Sequence, residues 1–88
     1  MARTYIISYD MAEKGNYNDL YKAIKSYGTW AKITESTWAI VTESKAEEIR
    51  DHLEQYFPSG SSLFVIKSGT VAAWMNVQCS NEWLKKHL

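Results

Sequence analysis

The chain has very little of what marks secreted, membrane-spanning or disordered proteins. Its 88 residues include one cysteine and one proline. A single cysteine cannot form an internal disulfide, and its use fits a reducing compartment. No apolar run approaches the roughly 20 residues that span a bilayer, and the N-terminus lacks a signal-like apolar region. We therefore expect one cytoplasmic domain over residues 1–88, with no membrane partner.

An excess of charge of either sign is also missing. Ten basic and ten acidic side chains give a formal net charge of zero. Proteins that bind nucleic acid mainly through phosphates usually carry a basic excess, because neutralising the phosphates releases counterions. Any phosphate binding by this chain is therefore expected to depend on a local patch of charge.

Aromatic residues are abundant instead, with four Trp and six Tyr. In so small a chain these rings either fill the core or meet a second subunit. An exposed Trp is also able to stack on a nucleobase. The sequence leaves these roles open for Trp38 and the other three tryptophans.

Hydrophobic periodicity predicts the order strand, helix, strand, strand, helix, strand and a short C-terminal tail. This order is typical of a ferredoxin-like βαββαβ fold of the α+β class, with an antiparallel sheet and two helices on one face. The other face then needs a cover, and a second subunit would supply it, which predicts a homodimer. The predicted strands cover residues 4–9, 29–34, 37–43 and 63–67, the helices begin near Tyr17 and Ala46, and the tail ends in a short helix over 81–87.

Several element ends carry recognisable signals. Asn16 or Asn18 is expected to cap the first helix, and Gly28 to end it in a left-handed conformation. Ser44 with Glu47 has the spacing of a capping box at the second helix. The apolar run over residues 63–66 does not alternate, which predicts that both faces of that strand are covered. Residues 71–79 fit a short helix or an edge strand equally well.

Six segments distributed along the chain read YIISYD, IKSYGTWAKITESTWAIVT, AEEIRDHL, LFVIKS, AAW and EWLKKHL. Through these segments nearly the whole chain resembles a group of small SinR-like proteins. The end of the first strand and the hairpin, Ile33 to Trp38, also resemble the CRISPR-associated Cas-two family, whose fold the virulence-associated protein D toxins share. Thr34 and Trp38 stand where that family usually has Gln and Phe, and the chain has only two arginines.

The resemblance implies a catalytic site at the end of the first strand. Asp10 would face its twin across a dimer axis and bind Mg²⁺, which takes one or two carboxylates plus water and phosphate. Ser36 would lie beside it as a second catalytic residue, and Ser8, Tyr9 and Trp38 would contact nucleic acid. Taken alone, Asp10 is equally a residue that bonds loop amides, and the serines are ordinary strand hydroxyls.

Three functions follow as hypotheses. The first is a homodimeric, metal-dependent endonuclease acting on RNA or DNA in a defence or toxin–antitoxin setting. The second is a catalytically silent dimeric adaptor that binds nucleic acid or a protein partner. The third is a regulatory homodimer that binds a small ligand in an aromatic pocket. Dependence on Asp10 and on metal separates the first from the other two.

Overall fold

Four strands and three helices follow one another in the order that the periodicity predicts. The structure is a computed structural model that describes residues 1–12, 15–69 and 71–88. Among these residues no helix is long and apolar enough to cross a membrane. The elements are β1 (Arg3–Asp10), α1 (Tyr17–Lys25), β2 (Thr29–Thr34), β3 (Thr37–Thr42), α2 (Ala46–Glu54), β4 (Ser62–Lys67) and α3 (Asn81–His87).

The four strands form one antiparallel sheet in the order β2-β3-β1-β4. The apolar, β-branched strand β1 lies inside the sheet, where Ile7 is paired with Trp38 on one side and Val65 on the other. Since β1 and β2 are both antiparallel to β3, they run parallel to each other and need the crossover that α1 provides. The α+β class with an antiparallel sheet is thereby confirmed.

The core lies between one face of the sheet and the first two helices. Alternate residues of β1, from Tyr5 to Tyr9, point to this face together with Trp38 and Ile40 of β3. Full burial of an aliphatic side chain contributes about 1.5–3 kcal/mol, so this layer is the main source of stability. The helices contribute Leu20, Ala23, Ile24, Ile49 and Leu53.

The opposite face of the sheet is only partly covered, and the C-terminal tail provides that cover. The hydroxyl of Thr4 donates to the carbonyl of His87, and Leu84 in α3 is 1% exposed. Along β4, Phe64 and Ile66 remain 59% and 48% exposed. The prediction that both faces of β4 are covered is therefore wrong for a single chain, because Phe64 stays exposed even though Leu88 of the tail lines a cavity with Ile66.

Hydrogen bonds at the helix ends separate correct from incorrect cap predictions. The side-chain oxygen of Asn16 accepts from the backbone N–H of Asp19 at 3.2 Å, which identifies the cap of α1. The prediction for Ser44 is wrong, because its backbone N–H donates to the hydroxyl of Thr42 and α2 begins later, at Ala46. Glu48 accepts there from the backbone N–H of Lys45 at 2.8 Å.

Residues 71–79 form neither of the elements that the sequence left open. Gln78 donates its backbone N–H to the carbonyl of Ile33 at 2.9 Å, which ties the segment to the outer edge of β2. The hydroxyl of Ser80 then accepts from the backbone N–H of Trp83 at 3.1 Å and caps α3. The short terminal helix is confirmed, and it is anchored at both of its ends.

Gly28 provides a test of the turn after α1. Its φ is 94°, whereas Gly69 has no positive φ, and neither position has a described atom within 4 Å of an added Cβ. The left-handed conformation costs an L-residue roughly 1–2 kcal/mol. We expect Gly28→Ala to lower the free energy of unfolding by about 1 kcal/mol, and Gly69→Ala to leave it unchanged or raise it slightly. Urea denaturation measures both, and equal effects would contradict the assignment.

Candidate functional site

A cavity of about 650 Å³ opens where β1 ends, beside the first turns of α1 and the turn between β2 and β3. Its volume falls within the range of about 300–1,000 Å³ that is usual for ligand sites. Three elements that are distant in sequence meet here, so the fold creates the site. The lining residues are Tyr9, Asp10, Met11, Tyr17, Tyr21, Glu35 and Ser36.

One backbone hydrogen bond brings the two predicted catalytic residues together. The backbone N–H of Tyr9 donates to the carbonyl of Ser36 at 3.1 Å, one step beyond the paired residues Ser8 and Thr37. Asp10 therefore follows directly beside the hairpin turn, and both Asp10 and Ser36 are exposed to solvent. The cavity thus contains a carboxylate and a hydroxyl that a ligand is able to reach.

Tyr9 forms the inner wall of the cavity. Its ring is 6% exposed, and its hydroxyl donates to the carbonyl of Glu35 at 3.2 Å while accepting from Nε1 of Trp38 at 3.3 Å. Burial raises the pKa of Tyr9 well above its ordinary value, because the phenolate would lose its hydration, and the neighbouring Tyr21 adds to the rise. Tyr9 is therefore a neutral, fixed residue at physiological pH, and its hydroxyl holds the hairpin turn.

Two predicted nucleic-acid contacts lie elsewhere. Trp38 is 1% exposed, with its ring centroid 5.2 Å from that of Tyr21 and 5.6 Å from that of Trp30. An indole enclosed in this way has no face to offer a base, so the structure corrects its role to one of supporting Tyr9. Ser8 is opposite Thr37 and Phe64 on the face of the sheet away from α1 and α2, and it does not line the cavity.

Four lining residues were not singled out from the sequence. Tyr17 begins the apolar face of α1, yet it is 46% exposed and its ring centroid lies 5.9 Å from that of Tyr21. Met11 and Glu35 lie in connections, where periodicity gives no information. One sequence feature could have indicated the two tyrosines. Tyr17 and Tyr21 are four residues apart at the start of the helix that follows the strand ending in Asp10, so they lie on one side of that helix.

The described lining residues carry negative charge and no positive charge. Asp10 and Glu35 both belong to them, and none of them is a Lys or Arg. Lys32 lies just behind it, with Nζ 3.3 Å from a carboxylate oxygen of Glu35 and 4.9 Å from the ring centroid of Tyr21. This ion pair partly offsets the charge of Glu35. The site therefore favours a cation or a neutral hydrogen-bond donor over a bare phosphate.

The donor chemistry of the lining fits magnesium with an incomplete set of protein ligands. Among the described residues, no three His, Cys, Asp or Glu side chains come together as a metal site. Asp10, Glu35 and Ser36 nevertheless present hard oxygen donors to one cavity. Mg²⁺ binds through one or two carboxylates and keeps waters or phosphates as its other ligands. A structural zinc site of nitrogen and sulfur ligands does not fit this lining.

Comparison of the chain with protein-family models, with curated proteins and with solved structures gives no match. The membership suggested by the SinR-like and Cas-two-like segments therefore remains a prediction. The cavity and its lining are the basis for a function, and the resemblance adds support.

Replacing Tyr9 by Phe removes one hydroxyl that serves two partners. We expect Tyr9→Phe to lower the free energy of unfolding by about 1–3 kcal/mol at pH 7, because the buried N–H of Trp38 loses its acceptor. Tyr17→Phe is the matched control, since its ring is 46% exposed, and should change little. Urea denaturation of the three proteins measures this, and equal stability of all three would contradict the hydrogen-bonded role of Tyr9.

The raised pKa of Tyr9 predicts how stability depends on pH. The unfolded chain releases the phenolic proton near pH 10, whereas the folded protein retains it to higher pH. The stability is therefore full below about pH 10 and falls as pH rises further, by at most about 1.4 kcal/mol per pH unit for one group. Tyr27, whose pKa is also raised by burial, contributes to the same fall. Tyr9→Phe should show a shallower slope, and an unchanged slope would contradict this.

Proposed function

We propose that the chain forms a Cas-two-like homodimer that cleaves RNA as a divalent-metal-dependent endonuclease, with DNA as a second substrate to be tested. The exposed carboxylate of Asp10, next to Ser36 in a cavity at the end of β1, carries this proposal. The cytoplasm, and a defence or toxin–antitoxin role, are the setting that the family resemblance implies.

The proposal includes the ferredoxin-like arrangement of the fold. The sheet order, taken from the β4 edge, is β4-β1-β3-β2. Each crossover therefore skips one strand, so that β3 lies between β1 and β2, and β1 lies between β3 and β4. Two interleaved βαβ units of this kind are what the split βαβ description means. The shared core of α1 and α2 on one face supports the same assignment.

The charge of the cavity gives the metal a specific role. The described lining residues include no cation to hold a phosphate, and their carboxylates repel one. A bound Mg²⁺ would supply that positive charge, polarising the phosphodiester or lowering the pKa of an attacking water. Asp10 would hold the ion, and the hydroxyl of Ser36 would orient the water or a phosphate oxygen. Tyr9 would keep the hairpin turn that carries Ser36 in place.

The proposed dimer uses the uncovered β4 side of the sheet. Among the described residues, β4 pairs with β1 alone, and Phe64 and Ile66 stand exposed along it. An exposed apolar edge strand is a site for association unless something covers it. Asp10 is paired with Ser62 at the start of this strand. A two-fold axis near that end is required if two Asp10 carboxylates are to share one ion.

The tyrosines of the cavity favour a second candidate function. Tyr9, Tyr17 and Tyr21 give the cavity the mixed aromatic and polar lining that is common in small-molecule sites. A regulatory homodimer that binds a small ligand here would need neither a metal nor catalysis by Asp10. The silent adaptor shares that independence, so one experiment separates the nuclease from both.

Cleavage of labelled single-stranded RNA, double-stranded RNA and DNA tests the nuclease. We expect activity with Mg²⁺ or Mn²⁺, none with chelator, and a loss of about 100-fold or more in Asp10→Asn, because the metal's charge stabilisation is worth several kcal/mol. Asp51→Asn, the same change on an exposed residue of α2, should retain activity. Equal cutting by wild type and Asp10→Asn would reveal a contaminant, and no cutting would favour the adaptor or ligand-binding alternatives.

Size-exclusion chromatography with light scattering tests the dimer. At micromolar concentration we expect a mass of twice the 10.1 kDa chain. Phe64→Glu should give a monomer, because it places a charge in an apolar interface. Gln55→Glu, at an exposed position after the end of α2, should stay dimeric. A monomeric wild type would refute both the dimer and a metal shared between two Asp10 residues.

A further inference from the structure

The cavity has an aromatic wall that the metal chemistry does not use. Tyr17 and Tyr21 lie one turn apart on α1, with ring centroids separated by 5.9 Å and planes inclined by 50°. Both line the cavity that contains Asp10, and Tyr17 is 46% exposed. A large, exposed ring beside a carboxylate favours the binding of a ligand that has an apolar face.

Tyr21 holds this wall in place. Its ring centroid is 5.2 Å from that of the buried Trp38, and the ammonium of Lys32 lies 4.9 Å from it. Tyr17 packs against the ring of Tyr21 and remains half-exposed, so its ring is the part of the wall that meets solvent. The wall therefore consists of one fixed ring, that of Tyr21, and one accessible ring, that of Tyr17. Little ordering of the protein is needed when a ligand binds.

The charge of the lining restricts what lies against this wall. Asp10 and Glu35 disfavour an anion, and among the described lining residues no Lys or Arg offsets the charge of Asp10. A neutral, planar group with N–H donors suits both the aromatic wall and the negative charge. Its ring stacks on tyrosine, and its donors meet carboxylate oxygens. Within a nucleic acid that group is the nucleobase, while the phosphate remains outside the aromatic wall.

We infer that Tyr17 and Tyr21 bind one unpaired nucleobase next to the phosphodiester that lies at Asp10. This inference rests on the proposed function and deepens it, since it makes single-stranded RNA the substrate class. A base in a duplex is paired and stacked, and it must be extruded before it reaches such a wall. Single strands present their bases without that cost, so duplex RNA binds the cavity more weakly.

Binding without cleavage tests the inference. Fluorescence anisotropy with labelled 12-nucleotide RNA, in the presence of chelator, compares a single strand, a duplex and a strand of abasic residues. We expect the single strand to bind about 10-fold or more tightly than the duplex, and the abasic strand to lose binding to a similar extent. Tyr17→Ala should weaken single-strand binding about 5- to 100-fold, whereas Tyr17→Phe, which keeps the ring, should retain it.

The outcomes separate the inference from the nuclease proposal. Equal binding of the abasic strand or the duplex, an unaffected Tyr17→Ala, or no binding at all would overturn the base site, whether or not Asp10-dependent cleavage is found. Base-dependent binding with no cleavage would keep the site and refute the nuclease. Circular dichroism and urea denaturation of Tyr17→Ala confirm that it is folded, and the retained binding of Tyr17→Phe shows that the ring itself is required.

Discussion

The hydroxyl of Tyr9 joins the core of the protein to its candidate site. It accepts from the indole of Trp38, which is enclosed between the sheet and α1, and it donates to the carbonyl of Glu35 in the hairpin turn. The same residue's backbone N–H donates to Ser36. The buried indole N–H of Trp38 would cost about 1–3 kcal/mol if left without a partner, so the hydroxyl that holds the turn also belongs to the network that orders the core. These hydrogen bonds of Tyr9 therefore fix the position of Ser36 relative to Asp10.

An acidic cavity in a chain of zero net charge restricts the mechanisms that are available. The chain has few arginines, and the described lining residues include no basic side chain that would attract a phosphate. Either a cation enters with the phosphate, or the part of the ligand that enters is neutral. The proposed metal at Asp10 and the proposed base at Tyr17 would satisfy these two conditions within one cavity. Both proposals therefore follow from the same distribution of charge.

The sequence predicted the elements well because their signals are local. The periodicity of α1, the cap at Asn16 and the left-handed Gly28 each depend on a few neighbouring residues. The prediction for Trp38 depended on which face of the hairpin meets the helices, and alternation alone cannot decide this. Tertiary packing determines which face is buried, since Tyr21 and Trp30 enclose the ring of Trp38.

The candidate site was predictable only in part, for the same reason. Asp10 and Ser36 were expected together from the family resemblance, and the β1–hairpin hydrogen bond places them in one cavity. Tyr17 was not predicted as a site residue, because it belongs to the apolar face of a helix and such a face usually packs against the core. Glu35 lies in a turn, where no period applies.

The uncovered half of the sheet links stability to function. A domain of 88 residues has a limited core, and this one covers the second face of its sheet only as far as its own tail extends. The strand left open, β4, is the one that pairs with Asp10 through Ser62. A partner that covers Phe64 and Ile66 would therefore also approach the carboxylate. In that arrangement, association would complete both the hydrophobic cover of the sheet and the ligand set of the metal. A monomer would then be both less stable than the dimer and inactive.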